Sequence, residues 1–220
     1  MQELNASWVA LKSGGFIVLP LSVLAVVALA IMLEKAVLYW RFARLSGDVL
    51  NLVETYGFAW SDLEKILSGV SSRHYFKRFF DVVISNRHHP SWWTESRAAD
   101  EAQLIEASLA RRLWVLETIV TAAPLLGLVG TVLGMMDAFQ IIGSNGVVNP
   151  TGVTGGVAQA LVATVIGLLI ALICLFGFNY FSRLQSQTMD EMERLGTRLI
   201  DHIRLDQEGR PQEGRTHEAP

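Results

Sequence analysis

The sequence predicts an all-α polytopic membrane protein, with three transmembrane helices extended by long cytoplasmic helices. Three observations lead there. Hydrophobic residues fill 51% of the 220 positions and charged ones only 18%, a balance outside the ordinary soluble range. Residues 13–33, 118–136 and 138–182 carry no charge at all. Runs of that length cross a ~30 Å hydrocarbon core as helices rising ~1.5 Å per residue. The charged segments between and after them keep a three-to-four spacing of apolar residues, the helical period. A net charge of −3 with no basic arm gives no sign of a nucleic-acid partner. One cysteine, Cys174, excludes an internal disulfide framework, and in its apolar run it reads as a small hydrophobe.

Residues 1–12 form a short external N-terminal segment that could lie at the interface around Trp8 and Leu11. Residues 13–33 are the first span. Ala28-Leu29-Ala30 has the form of a signal-peptide cleavage site, but Lys35, Arg41 and Arg44 follow the run while only Lys12 and Glu3 precede it. That bias anchors the C-terminal side in the cytoplasm and makes the segment an uncleaved span with its N-terminus periplasmic. Residues 34–113 are then cytoplasmic and hold most of the basic side chains. Ser61-Asp62-Leu63-Glu64 has capping-box form. Phe76-Lys77-Arg78-Phe79-Phe80 reads as a packed helix, and His74, His88 and His89 as loop residues without metal-ligand spacing. Ser91 or Thr94 is placed to cap a helix whose stripe is Leu104 or Ile105, Leu109, Leu113 and Leu116. Nothing in the pattern breaks it, so one continuous helix is expected to run into the second span, residues 114–142.

The charge-free stretch 138–182 is too long for one span. Gly143-Ser144-Asn145-Gly146 and Asn149-Pro150 supply turn chemistry, which places a periplasmic loop at 143–155 and the third span at 156–182. Met189, Met192, Leu195, Leu199 and Ile203 continue an amphipathic cytoplasmic helix over 183–204, weakened at Gly196. The polar tail 205–220 is expected to be disordered.

The second span is not a simple greasy plug. Gly127, Gly130 and Gly134 share one helix face beside Thr131, and Pro124 deprives the Val120 carbonyl of its helical donor. A nearby hydroxyl or a tightly packed neighbour is expected to compensate. The third span has its own small-residue stripe of Gly156, Ala160, Thr164, Gly167 and Ala171. In lipid such faces let helix backbones approach closely, so spacing alone predicts helix packing. Glu117 and Asp137 sit at the ends of the central run as boundary residues. The polar groups left inside are Thr121, Thr131, Thr164 and Gln159, which can line a wet path but do not titrate. A proton conductor built on this chain must therefore take its acid from another chain.

Ala123-Pro124-Leu125-Leu126-Gly127-Leu128-Val129-Gly130-Thr131-Val132-Leu133-Gly134 resembles the central motif of the MotA/TolQ/ExbB proton-channel family. The run from Gly156 to Leu168, GVAQALVATVIGL, is similar to that family's third-span motif, with Gln159 where ExbB and TolQ typically carry glutamate. The three-span layout looks like ExbB and TolQ rather than four-span MotA. The resemblance implies a homopentameric ring around two spans of a single-span ExbD/TolR-like partner that supplies a membrane aspartate. It also implies that Thr131 and Thr164, with Gln159 nearby, line the proton pathway, while Pro124, Gly127, Gly130, Gly134, Ala160 and Gly167 set helix packing. No cofactor and no metal is implied. The function it implies is an ExbB-like inner-membrane subunit energising TonB-dependent transport by the proton motive force. Two alternatives are a TolQ-like subunit of envelope maintenance and a non-conducting scaffold. An intramembrane serine protease fails for want of a base, since all five histidines lie outside the spans.

Overall fold

A computed structural model describes residues 16–43, 49, 52–53, 55, 58–145 and 150–208, with side chains left undescribed at 141–145 and 150–153. The expected interfacial helix around Trp8 and Leu11 lies outside these residues. All regular structure among the described residues is helical. The elements are α1 (Val18–Leu38), which widens into a π-turn at Tyr39–Ala43, then α2 (Trp60–Ser68), α3 (Tyr75–Asn86), α4 (Ser91–Ala110), α5 (Leu113–Asn145) and α6 (Pro150–Glu208). The chain divides into two compact units: Met1–Ala36 with Arg111–Ser182, and Val37–Ala110 with Arg183–Pro220.

The first unit holds the apolar lengths of α1, α5 and α6. Three helices are long and apolar enough to cross a membrane, and only 22%, 28% and 22% of their most apolar windows are buried within the chain. Leu125, Leu128, Val129, Val132, Leu161, Val165, Leu168 and Phe176 all face outward. A water-soluble fold does not leave so much apolar surface uncovered, whereas lipid and neighbouring helices cover it in a membrane. Between α5 and α6 the surfaces in contact are the small-residue stripes. The protein is a multi-pass membrane protein.

The second unit is built around a helical hairpin. Tyr75 Oη and Ser108 Oγ lie 3.0 Å apart, and Arg78 pairs with Glu101 at 2.6 Å, so α3 and α4 run antiparallel. Phe76, Phe79, Phe80 and Val83 of α3 are buried with Ile105 and Leu109 of α4 and Met192, Leu195, Leu199 and Ile203 of α6. The Phe76–Phe80 stretch is thus a packed helix, as its pattern predicted. Of the two candidates for the α4 stripe, Ile105 is buried and Leu104 points outward.

Several boundaries differ from those expected of the sequence, each for a local reason. The capping box at Ser61 is absent: α2 begins two residues earlier, with Ala59 at its N-cap and no side-chain cap. Neither Ser91 nor Thr94 caps α4. The Trp93 and Thr94 amides donate to the Pro90 carbonyl, and the Thr94 hydroxyl reaches back 2.8 Å to the Asn86 carbonyl, tying the two arms of the hairpin. The continuous helix expected through Arg112 is interrupted. α4 stops at Ala110, Arg112 adopts φ 67°, and the Val115 amide donates to the Arg112 carbonyl as α5 begins. Periodicity is blind to this break, because Leu109, Leu113 and Leu116 are buried on both sides of it.

The expected 143–155 loop is shorter. Helix persists to Asn145 and restarts at Pro150, a residue suited to the first helical turn. Four of the residues assigned to the tail, 205–208, are helical because the end of α6 is held down. Trp60 Nε1 donates to Asp206 at 2.8 Å, and Gln207 Nε2 donates to the His89 carbonyl at 2.8 Å. One turn earlier, Phe58 stacks on His202 at 4.5 Å. Residues 209–220 lie outside the described residues.

Candidate functional site

The two small-residue stripes meet as one antiparallel seam. Gly127 lies against the Cα of Thr164, Gly130 against Ala163, Gly134 against Ala160, and Gly156 against Ala138. The approach leaves no space for side chains: a Cβ on Gly130 would sit 2.6 Å from that of Ala163, and one on Gly167 would sit 2.5 Å from the Ala123 carbonyl oxygen. Ile17 of the first unit also packs on Gly130, and Met32 of α1 packs on Gly177. Packing of this kind, not hydrophobicity, holds helices together in lipid.

Pro124 is accommodated without ending α5. Of the two compensations expected for the Val120 carbonyl, a hydroxyl or a packed neighbour, the adjacent Thr121 hydroxyl is engaged with the Thr118 carbonyl at 2.9 Å. Tight packing is what the structure places at this turn, where Gly167 admits α6 against the Ala123 main chain.

Thr164 is half-buried at the seam, and its hydroxyl crosses between helices to donate to the Gly127 carbonyl at 2.9 Å. Thr131 follows Gly130 by one residue, is half-exposed, and donates to the Leu128 carbonyl of its own helix at 2.7 Å. The two acceptor carbonyls, Gly127 and Leu128, are consecutive on α5, ~1.5 Å apart in helix rise. Gln159 is half-buried beside buried Ala160, five residues before Thr164 on α6. The structure therefore unites Gly127, Gly130, Gly134, Ala160, Thr164 and Gly167 in one contact surface, with Thr131 and Gln159 flanking it.

Glu117 and Asp137 are exposed at the two ends of the central apolar run. No charged side chain lies between them or between residues 138 and 182. Among the described residues no cluster of His, Cys, Asp or Glu could hold a metal ion. His88 and His89 are exposed in the α3–α4 connection.

Two features escape the sequence patterns. Ala163 is the residue that both Gly127 and Gly130 face, and the 156-160-163-167 spacing of small residues carried that signal. The second is an ion pair between the Arg112 guanidinium and the Glu34 carboxylate. The residues are 78 apart in sequence, and no local pattern links them.

Comparison with known proteins gives the geometry a context. Residues 71–194 match the MotA/TolQ/ExbB proton channel family. A Synechocystis protein named biopolymer transport protein ExbB-like 3 is 35% identical over 182 residues, 78% of this chain and 83% of the relative. The biopolymer transport protein ExbB of Aquifex aeolicus is 42% identical over a shorter stretch, 38% of this chain and 55% of its own length. The Tol-Pal system protein TolQ of Haemophilus influenzae is 28% identical over 73% of this chain and 80% of its own. With the packed seam of α5 and α6 inside the matched region, the chain belongs to the MotA/TolQ/ExbB proton channel family.

Proposed function

We propose that this chain is an ExbB-like stator subunit of the bacterial inner membrane. Five copies would surround a single-span ExbD/TolR-like partner, and the ring would convert proton motive force into mechanical work for TonB-dependent outer-membrane transport. One observation carries the reading: a seam packed to backbone contact presents two threonine hydroxyls and Gln159 where residues 118–136 and 138–182 carry no charged side chain. Such a structure can hold and orient a proton carrier but cannot be one. The carboxyl group must come from the partner. Each proton crossing then releases ~2.3 kcal/mol per 100 mV, available to move the partner within the ring.

A non-conducting scaffold is the second reading, favoured by the fact that both hydroxyls bond to main-chain carbonyls of this same chain. The experiment that separates them is co-expression with any single-span protein encoded beside it. It would be followed by native mass measurement and by proton-flux assay of Thr131→Val in vesicles. The stator reading expects several copies retaining fewer partner chains, and flux reduced at least tenfold in an assembled complex. A scaffold gives unchanged behaviour for Thr131→Val.

A further inference from the structure

Five hydroxyls of the spanning helices share one property. Ser22 donates to the Val18 carbonyl, Thr118 to Trp114, Thr121 to Thr118, Thr131 to Leu128 and Thr164 to Gly127, at 2.7 to 2.9 Å. A hydroxyl has one proton and two lone pairs. In each of these the proton is already committed to a main-chain oxygen, so only lone pairs remain to meet anything else.

We propose that Thr131 and Thr164 are acceptor-only contacts: they bind the protonated, neutral form of a carrier carboxyl group and offer no hydrogen bond to its carboxylate. The proposal rests on the stator reading above and specifies which form of the partner's acid the seam selects. For Thr164 to donate to a carboxylate it must release the Gly127 carbonyl, which it reaches across the seam where Gly127 packs on the Thr164 main chain. In the helical pattern that carbonyl also receives the Thr131 amide, so Gly127 links the two hydroxyl-bearing residues. Gln159 differs, because its amide can donate as well as accept. The charged groups on the packed helices stand at the span ends: Glu34 and Lys35 on α1, Glu117 and Asp137 on α5, Arg183 on α6. Asp137 is six residues from Thr131, ~9 Å along the helix. Hydrogen-bond polarity at the two threonines is therefore the local means of favouring the neutral acid, which keeps the proton on its carrier while the carrier is inside the ring.

The test uses the purified complex of this chain with its co-expressed single-span partner. Dicyclohexylcarbodiimide attacks protonated carboxyl groups, so the pH profile of labelling at the partner's membrane carboxyl reads where it loses its proton. Removing an acceptor by Thr164→Val or Thr131→Val is expected to lower the labelling midpoint by about half to one pH unit, a three- to tenfold change in ionisation constant. Thr164→Ser should leave it in place. Thr131 lies beside the seam rather than in it, so its valine variant tests the idea even where Thr164→Val fails to assemble. An unchanged midpoint in both valine variants overturns the proposal. So does a midpoint that rises, since it would show the hydroxyls donating to the carboxylate. A complex that contains no single-span carboxyl protein, or that labels only at Asp137 or Glu117, removes the stator reading itself and this inference with it. That failure is visible in the wild type, before any variant is made.

Discussion

At Gly167 one added methyl group would sit 2.5 Å from the Ala123 carbonyl oxygen, a main-chain atom with no rotamer to yield. Gly155, twelve residues earlier on the same helix, has nothing within 4 Å of the equivalent position. Gly167→Ala should therefore destabilise by about 1–3 kcal/mol, the cost of overpacking, while Gly155→Ala should stay within about 0.5 kcal/mol of the parent. Thermal unfolding in detergent, followed by tryptophan fluorescence, distinguishes the two. Arg112 makes a second residue-scale prediction. Its left-handed backbone costs ~1–2 kcal/mol for any residue with a Cβ, and its exposed pair with Glu34 returns at most about 1 kcal/mol. Arg112→Gly loses the pair but relieves the backbone, so it should be more stable than Arg112→Ala by about 1 kcal/mol. Equal stabilities would argue against a strained junction. The glycines of the α5–α6 seam were legible in the sequence, because small residues at helical spacing form a face; Gly177 and Gly196, which stand outside such a stripe, were not. The sequence did not show Arg112, whose conformation leaves no trace in hydrophobic spacing.

Elements were legible as types and blurred at their ends. The amphipathic pattern found α3, α4 and the length of α6 beyond residue 182, but it ended α6 at 204 because apolar spacing stops there and Asp206, Gln207 and Glu208 are polar. Polar residues can hold a helix end when they have partners, and Asp206 and Gln207 find theirs on Trp60 and the His89 carbonyl. Trp60→Phe removes one such bond at an exposed site. The expected outcome is faster hydrogen exchange over residues 203–208 with little change in global stability. Gly196 is a weak point of the same helix by propensity alone, yet packing makes its missing side chain a requirement. A Cβ there would lie 2.8 Å from the Phe79 ring. Gly196→Ala should cost about 1 kcal/mol, and Phe79→Leu should recover part of the loss, a coupling that a double-mutant cycle in thermal unfolding measures directly.

For the molecule as a whole, composition and charge spacing were enough to identify three spans, because lipid imposes length and polarity rules stricter than those of water. What they could not supply was pairing: which stripe faces which, and in what register. That information lies in tertiary contacts such as Gly127 on Thr164 and Gly134 on Ala160. The expected orientation, N-terminus periplasmic and C-terminus cytoplasmic, is open to a direct check. Cys174 is buried and should resist membrane-impermeant maleimides. Ser144→Cys should then label in intact spheroplasts, and Ser91→Cys only after lysis; the reverse pattern would invert the topology.

Gly130 and Ala163 share the room of a single methyl group. In genetic terms they act as one locus with two addresses. Alanine is one base change from glycine, so Gly130→Ala is an accessible lesion, and its compensation lies thirty-three codons downstream rather than nearby. A selection for restored growth from Gly130→Ala should return Ala163→Gly, exchanging the two residues and leaving their combined volume as it was.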